Sequence, residues 1–274
     1  LLGPRNIARF QSFCVVFGLL PVAAILIAGW AYFDPDIYRA GWNVSGTSDA
    51  AVAIGSLATV FWAFIGLETG AMVAGVVRDP ERNVPIATLG GILLAGVVYL
   101  ISSVLMMGIV PVDQLAASSA PFALVAGQMF GAWAIPVIAA AAALKATGTL
   151  GGWMLVTGES GARAAQRGFL PRIFGRLLKN GAAGPGLLIV VSSMTLIAFT
   201  TLSDSVGSQF ETIINMAVTL VVMAYAAAGL SLLLGNPAHP AGTRERLLGM
   251  GALIACGLLV WSTPVDTLMG AAII

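Results

Sequence analysis

Residues 51–77 read AVAIGSLATVFWAFIGLETGAMVAGVV, an apolar run whose only charge is Glu68 and whose glycines stand at 55, 66, 70 and 75. At a rise of about 1.5 Å per residue, a helix of this length can cross the hydrocarbon core of a bilayer. Glycine, β-branched and aromatic residues weaken a helix, and a carboxylate inside hydrocarbon is costly. The stretch therefore predicts a membrane span that is broken in its middle.

The rest of the chain has the same apolar character. Hydrophobic residues make up 58% of the 274 residues and charged residues only 9%, whereas a soluble domain carries about 25% charged residues. Long apolar blocks recur, which predicts an all-α polytopic membrane protein. A stretch too short to span, between Pro121 and Gly131, suggests a helix lying along the membrane surface. Seven spans are expected, with an eighth beginning near Thr267: about residues 10–33, 51–77, 86–110, 132–157, 185–202, 212–234 and 247–262.

Basic residues are distributed unevenly between the connections. Eleven of the thirteen Lys and Arg residues fall in or beside alternate connections, five of them between Arg163 and Lys179. The remaining connections hold Arg39 among several aspartates, including Asp34 and Asp113. Because basic residues are retained on the cytoplasmic side, we expect residue 1 to be cytoplasmic, in a plasma membrane or a bacterial inner membrane.

No pattern in the sequence is typical of catalysis or of a bound cofactor. A net charge of +1 provides no basic field for nucleic acid. Cys14 and Cys256 lie in apolar blocks, where cysteine is usually a small packing residue. The Gly-rich segments lack a following Gly-Lys-Ser/Thr, and the single histidine, His239, stands in a polar connection. We expect no enzyme activity, no cofactor and no metal site.

Glu68 and Lys145 are ionisable residues deep inside predicted spans, and such residues are functional hypotheses by default. Where a span is interrupted, backbone amides and carbonyls can bind the charged ends of a zwitterion. A Gly66-xxx-Gly70 spacing also allows close helix packing, which is the alternative interpretation of these glycines. The carboxylate beside them favours a functional break.

Lys145 shares one face of the fourth span with Thr149 and Trp153, each four residues further on. Glycines at 148, 151 and 152 should let a neighbouring helix approach. Two roles for Lys145 stay open: a structural ion paired with Glu68 or with a carboxylate elsewhere, and an intramembrane cation that disfavours cationic substrates.

Aromatic residues in the spans can form the wall or lid of a substrate site. Trp62 and Trp153 are candidates, although packing or an interfacial position would explain them equally well. Tyr225 and Asn215 in the sixth span could line a pathway or form interhelical hydrogen bonds.

Residues 61–68, FWAFIGLE, continue into residues 75–87, GVVRDPERNVPIA, and resemble the basic amino acid/polyamine antiporter family of the amino acid-polyamine-organocation superfamily. Residues 151–153, GGW, and 169–174, FLPRIF, also resemble that family, and the similarity runs over essentially the whole chain. The resemblance implies a helical bundle with inverted five-helix repeats and discontinuous helices. It places this chain from the fifth helix to the start of the twelfth, as a partial transmembrane transporter domain over 1–274 that lacks the first four helices.

The resemblance also implies roles for particular residues. Ile65 and Gly66 would lie in the unwound substrate-binding segment, and Glu68 would be the carboxylate of proton-linked gating. Trp62 matches an aromatic residue that stacks over substrate. Trp153 matches a second gating aromatic residue, and Tyr225 matches a pathway tyrosine. The chain departs from the family at two places. In the tenth helix the antiporters usually read Pro-Tyr, whereas here Met223-Ala224 precede Tyr225. Lys145 stands where a small residue is usual.

Together these features predict a secondary active transporter that exchanges amino acids or polyamines by alternating access. Its partners would be those small-molecule substrates, protons and the lipid bilayer, with no nucleic acid, and a homodimer stays open. A proton-coupled amino-acid symporter is the alternative within the same class. A non-transporting membrane scaffold is a third hypothesis, but it does not require the charges of Glu68 and Lys145 in mid-membrane.

Overall fold

The fold is taken from a computed structural model, which describes residues 4–72, 78–200, 202, 206–235 and 241–262. The predicted eighth span, Gly75 and His239 lie outside the described residues. The described chain is helical along most of its length, in short and long segments. The helices are α1 (Pro4–Ala28), α2 (Pro35–Gly41), α3 (Asp49–Gly55), α4 (Leu57–Ala63), α5 (Thr69–Met72), α6 (Pro80–Ile109), α7 (Val112–Ala117), α8 (Pro121–Phe130), α9 (Ala134–Gln166), α10 (Gly184–Thr200), α11 (Val206–Leu234) and α12 (Thr243–Ser262), with 3₁₀ turns at Gly29–Tyr32 and Arg172–Gly175.

Several helices are long and apolar enough to cross a membrane, so the chain is an all-α polytopic membrane protein. The predicted span at 185–202 is the shorter apolar helix Gly184–Phe199, and the predicted span at 51–77 is divided between α3, α4 and α5. Within the described residues the five spanning helices are Arg9–Tyr32, Pro80–Ile109, Ala134–Gln166, Ile213–Leu234 and Thr243–Ser262.

The described residues form two compact units. The first unit comprises residues 1–44 and 67–198, and the second comprises residues 45–66 and 199–274. The boundary at Gly66 and Leu67 falls inside the predicted broken span. Its first half, α3 and α4, therefore belongs to the second unit, while α5 belongs to the first.

The first unit is built on an antiparallel seam between α1 and α9. Small residues on α9 let α1 approach, as the glycine pattern predicted. Gly148 lies against Cys14 and Gly152 against the side-chain amide of Gln11. A Cβ at Gly148 would overlap the Cys14 side chain, so the close approach depends on glycine at this position.

One end of this unit carries its apolar core. Ile25 of α1, Leu105 of α6, Val125 of α8 and Ala134 of α9 are buried together there. The helix predicted between Pro121 and Gly131 is thus observed as α8, with one face in this core. Its burial results from packing on α6 and α9 within the unit.

The second unit packs α4 against α11 and α12. Ala58 of α4, Val218 and Val222 of α11 and Leu259 of α12 form its buried core. Helices α11 and α12 approach closely through glycine, since a Cβ added at Gly249 would lie 2.7 Å from the Gly229 carbonyl oxygen. This unit positions the first half of the broken span.

Candidate functional site

The broken span is the feature on which the candidate site is built. Helix α4 ends at Ala63, after which the Phe64 amide donates to the Phe61 carbonyl at 3.0 Å and the Ile65 amide to the Trp62 carbonyl at 3.0 Å. Residue 66 then has φ +112°, a conformation that only glycine adopts readily. The prediction of an interrupted helix is confirmed, and Gly66 is the residue that permits the interruption.

The first half of the broken span is fixed by apolar and aromatic contacts within the second unit. Phe61 meets Tyr225 of α11 edge to face, with ring centroids 5.8 Å apart and planes at 83°. Ile65 is partly buried against the same core. The structure therefore brings Ile65 and Tyr225 into one packed cluster with Phe61, a residue that sequence reasoning had not singled out for the site.

Trp62 lies on α4 beside this cluster and is more open. Its side chain is 36% exposed, which leaves part of the indole surface accessible beside the interrupted segment. The packed neighbour, Phe61, fills the core position instead. An indole so placed can cover a small ligand or stack on a cation.

The second half of the broken span starts at Glu68, which is partly buried and whose carbonyl accepts a hydrogen bond of 3.1 Å from the Met72 amide. Helix α5 lies against α6 through Gly70, where an added Cβ would be 2.9 Å from Thr88 Oγ1. Met72 is held from α9, because Arg163 Nη1 donates to the Met72 carbonyl at 3.1 Å. This half therefore contacts both α6 and α9.

Lys145 packs its aliphatic stem on Gly18 of α1, a neighbour that the sequence did not indicate. A Cβ added at Gly18 would lie 2.6 Å from Lys145 Cβ and 3.3 Å from Cδ. Of the two roles left open for Lys145, a pair with Glu68 is not observed, since Lys145 takes part in none of the ion pairs between residues that the structure describes. Glycine at 18 therefore makes room for a lysine stem within the α1–α9 seam.

Trp153 follows the glycines of α9 that approach α1. Gly148, Gly151 and Gly152 all lie against side chains of α1, as does the stem of Lys145, and the Trp153 side chain is 41% exposed. Steps of four residues drift around a helix of 3.6 residues per turn. Trp153 therefore keeps an accessible indole surface on α9.

A cavity of about 400 Å³ lies elsewhere in the first unit, between the last turns of α9, the start of α10 and residues 177–184. Leu155, Leu187 and Val191 give it apolar walls, and Glu159 and Arg163 supply polar groups. Its lining contains none of the sequence-predicted site residues. The broken span is the stronger candidate site, because an interrupted backbone near a carboxylate offers polar groups that can bind a charged solute.

Sequence reasoning missed the contact of Arg163 with α5. The Glu159–Arg163 spacing of four residues was a visible signal for an ion pair on α9, and the atoms Glu159 Oε2 and Arg163 Nη2 are 3.5 Å apart. A backbone carbonyl on a distant helix has no sequence signal.

Comparison with known proteins agrees with this reading of the chain. Residues 1–264 match the family model described as amino acid permease. The cadaverine/lysine antiporter of Escherichia coli K12 is 37% identical over 230 residues, which cover 82% of this chain and 52% of that protein. The putrescine transporter PotE of the same strain is 37% identical over 223 residues, 81% of this chain and 51% of that protein. PotE of Haemophilus influenzae is 34% identical over 234 residues, 85% and 54% respectively.

The chain spans about half the length of the curated relatives it matches. Both the family and these relatives are transporters rather than enzymes. The match extends over nearly every residue of the chain, including the broken span and both helices of the α1–α9 seam. The chain therefore belongs to the amino acid permease family.

Proposed function

We propose that the protein is a secondary active transporter that exchanges an amino acid for a related amino acid or amine by alternating access. The observation that carries the proposal is the interruption of a membrane span at Gly66, two residues before the carboxylate of Glu68. The printed names of the relatives support the same class, since they are a cadaverine/lysine antiporter and putrescine transporters.

The chemistry of the break suits a small charged solute. Between Phe64 and Glu68 the helical pattern of hydrogen bonds is interrupted, and backbone groups at such an interruption can replace the water around an ammonium or a carboxylate. Trp62 would cover the solute, and Ile65, Gly66 and Tyr225 would lie on its path. Glu68 would bind and release a proton as the gate moves.

The substrate class depends on two features that favour different solutes. The relatives' names favour diamines and lysine. Lys145, by contrast, places an ammonium in a predicted span, and a fixed cation raises the free energy of a second cation nearby. The stem of Lys145 packs against Gly18 up to its Cδ atom, so the side chain leaves α9 within the seam. An intramembrane cation at Lys145 would favour neutral amino acids, with Trp153 as a second gating aromatic residue.

We further propose that residue 1 is cytoplasmic and that the protein resides in the cell membrane, which is the inner membrane in a bacterium. The basis is the charge distribution. The segment from Arg163 to Lys179 carries five basic residues. The connections that contain Asp34, Asp36 and Asp113 are acidic, and Arg39 is their one basic residue. Arg39 is itself paired with Asp36 at 3.3 Å, which further reduces the positive charge of that side.

Exchange is tested with the full-length protein in proteoliposomes. Vesicles are preloaded with unlabelled lysine, cadaverine, putrescine or leucine. They should take up the labelled form of one of these solutes several-fold faster than empty vesicles, because an exchanger returns its binding site across the membrane only when it carries substrate. Uptake that ignores preloading and follows an inward proton gradient would establish symport instead. No uptake in any combination would leave the scaffold hypothesis, and the pattern across the four solutes decides between cationic and neutral substrates.

Glu68→Gln tests the proton-binding role. The amide keeps the size and hydrogen-bonding capacity of the side chain but cannot bind and release a proton. We expect substrate binding to persist while exchange loses its dependence on pH, measured in the same vesicles. Glu81→Gln, at an exposed carboxylate on α6, should leave the profile unchanged. A Glu68→Gln profile identical to that of the parent would make Glu68 a structural residue.

Trp62 should act through its aromatic face. Trp62→Leu is expected to raise the KM for exchange by about tenfold, equivalent to about 1.4 kcal/mol of lost stacking. Trp62→Phe should retain most of the affinity. Trp133→Leu, at a tryptophan that is 66% exposed, serves as the control and should have little effect. Equal losses in the Leu and Phe variants would indicate that Trp62 contributes packing volume only.

Orientation is tested with two exposed positions on predicted opposite sides, Asp113 and Lys179. In intact cells, Asp113→Cys should react with a membrane-impermeant thiol reagent. Lys179→Cys should react only after the membrane is permeabilised. The reverse pattern would overturn the proposed orientation.

A further inference from the structure

The second half of the broken span is tied to α9 by one arginine. Arg163 Nη1 donates to the Met72 carbonyl at 3.1 Å, and its Nη2 donates to Glu159 Oε2 at 3.5 Å, one turn earlier on α9. Ser160 Oγ lies 3.8 Å from the Met72 sulfur. Arg163 and Ser160 of α9 therefore both contact Met72 of α5, and Glu159 pairs with Arg163.

Helix α5 is described from Thr69 to Met72, directly after the interrupted segment of the broken span. The guanidinium of Arg163 donates to a backbone carbonyl of this helix, which makes a charge-assisted hydrogen bond. On the opposite side the fit is steric, since Gly70 leaves no room for a side chain beside Thr88 of α6.

Glu159 orients the guanidinium. The side chains of Arg163 and Glu159 are 43% and 47% exposed, so the ion pair by itself adds little to stability. Its consequence is geometric: with one nitrogen held by the carboxylate, the other faces the Met72 carbonyl. Arg163 thus joins two elements that are separated by the whole of α6 to α8 in the sequence.

We propose that Arg163 is a positioning residue that clamps α5 to α9, and that the clamp is released and remade during each transport cycle. This inference rests on the proposed function, because release has a role only if the broken span moves. The contact suits a reversible device: it is a single partly exposed hydrogen bond to a backbone carbonyl, which water can replace when α5 moves away. The charge distribution of the sequence placed Arg163 only in a basic segment expected to be cytoplasmic.

The test uses a cysteine at the clamped position. Met72→Cys keeps the backbone carbonyl that Arg163 binds, and the Met72 side chain is 45% exposed. In the full-length protein, freed of its other cysteines and reconstituted in vesicles, the labelling rate of this cysteine reports how often α5 leaves α9. Adding Arg163→Gln should raise the rate by about fivefold, a small coupling as expected for a partly exposed contact.

Arg167→Gln is the matched control. It removes the same charge one turn further along, and Arg167 is exposed at the end of α9. It should leave the labelling rate of Met72→Cys unchanged. Arg163→Lys, which restores a charged donor, should return the rate part of the way to that of the parent. Equal rates in the Arg163→Gln and Arg167→Gln proteins would overturn the clamp.

A second measurement does not require the arginine variants to fold. In the protein that carries Met72→Cys alone, saturating lysine, cadaverine and putrescine should change the labelling rate, because the clamp opens and closes in turnover. A rate that is insensitive to these solutes, in vesicles that do exchange them, would overturn release during transport while leaving the proposed function intact. Absence of any exchange in those vesicles would instead refute the proposed function.

Discussion

A backbone that crosses a bilayer must satisfy its own polar groups, because hydrocarbon offers no partner for a free amide or carbonyl. A continuous helix meets this requirement, and five helices in the described part of the chain are long and apolar enough to cross a membrane. One predicted span does not meet it, because Gly66 takes a φ of +112° and the helix is interrupted between Phe64 and Glu68. Such a break is tolerated only where protein or a polar cavity surrounds it. Trp62, Ile65, Gly66 and Glu68 are candidate site residues because they lie at or beside this break.

Close helix packing is the second requirement, and glycine meets it. Lipid tails are as apolar as leucine, so helices in a membrane gain little by hiding apolar surface from one another and associate through tight contact instead. Gly148 and Gly152 let α1 reach α9, and Gly249 lets α12 reach α11. Gly18 serves a different purpose, since the space it leaves is filled by the stem of Lys145.

Much of this architecture could be predicted from the sequence because it depends on local chemistry. The break follows from glycines beside Glu68, and the α9 seam follows from glycines one turn apart. The contact of Phe61 with Tyr225 could not be predicted, because residue spacing shows which face a side chain occupies and not which helix lies opposite. For the same reason the sequence could place Lys145 on one face of α9 but could not show that its stem lies against Gly18 of α1.

The two halves of the broken span are held by different kinds of contact. Helix α4 is fixed by an edge-to-face aromatic pair and by side chains buried in the core of its unit. Moving it would separate apolar surfaces that fit closely, and the cost would rise with the area exposed. The contacts of helix α5 include the guanidinium of Arg163, the close approach of Gly70 to Thr88 and a sulfur contact with Ser160. Water can take the place of a hydrogen-bond donor but cannot replace apolar packing, so the contact between Arg163 and Met72 is one that can be released at low cost. The proposed proton-binding carboxylate, Glu68, stands at the start of this half, which is the arrangement that coupling proton binding to gate movement requires.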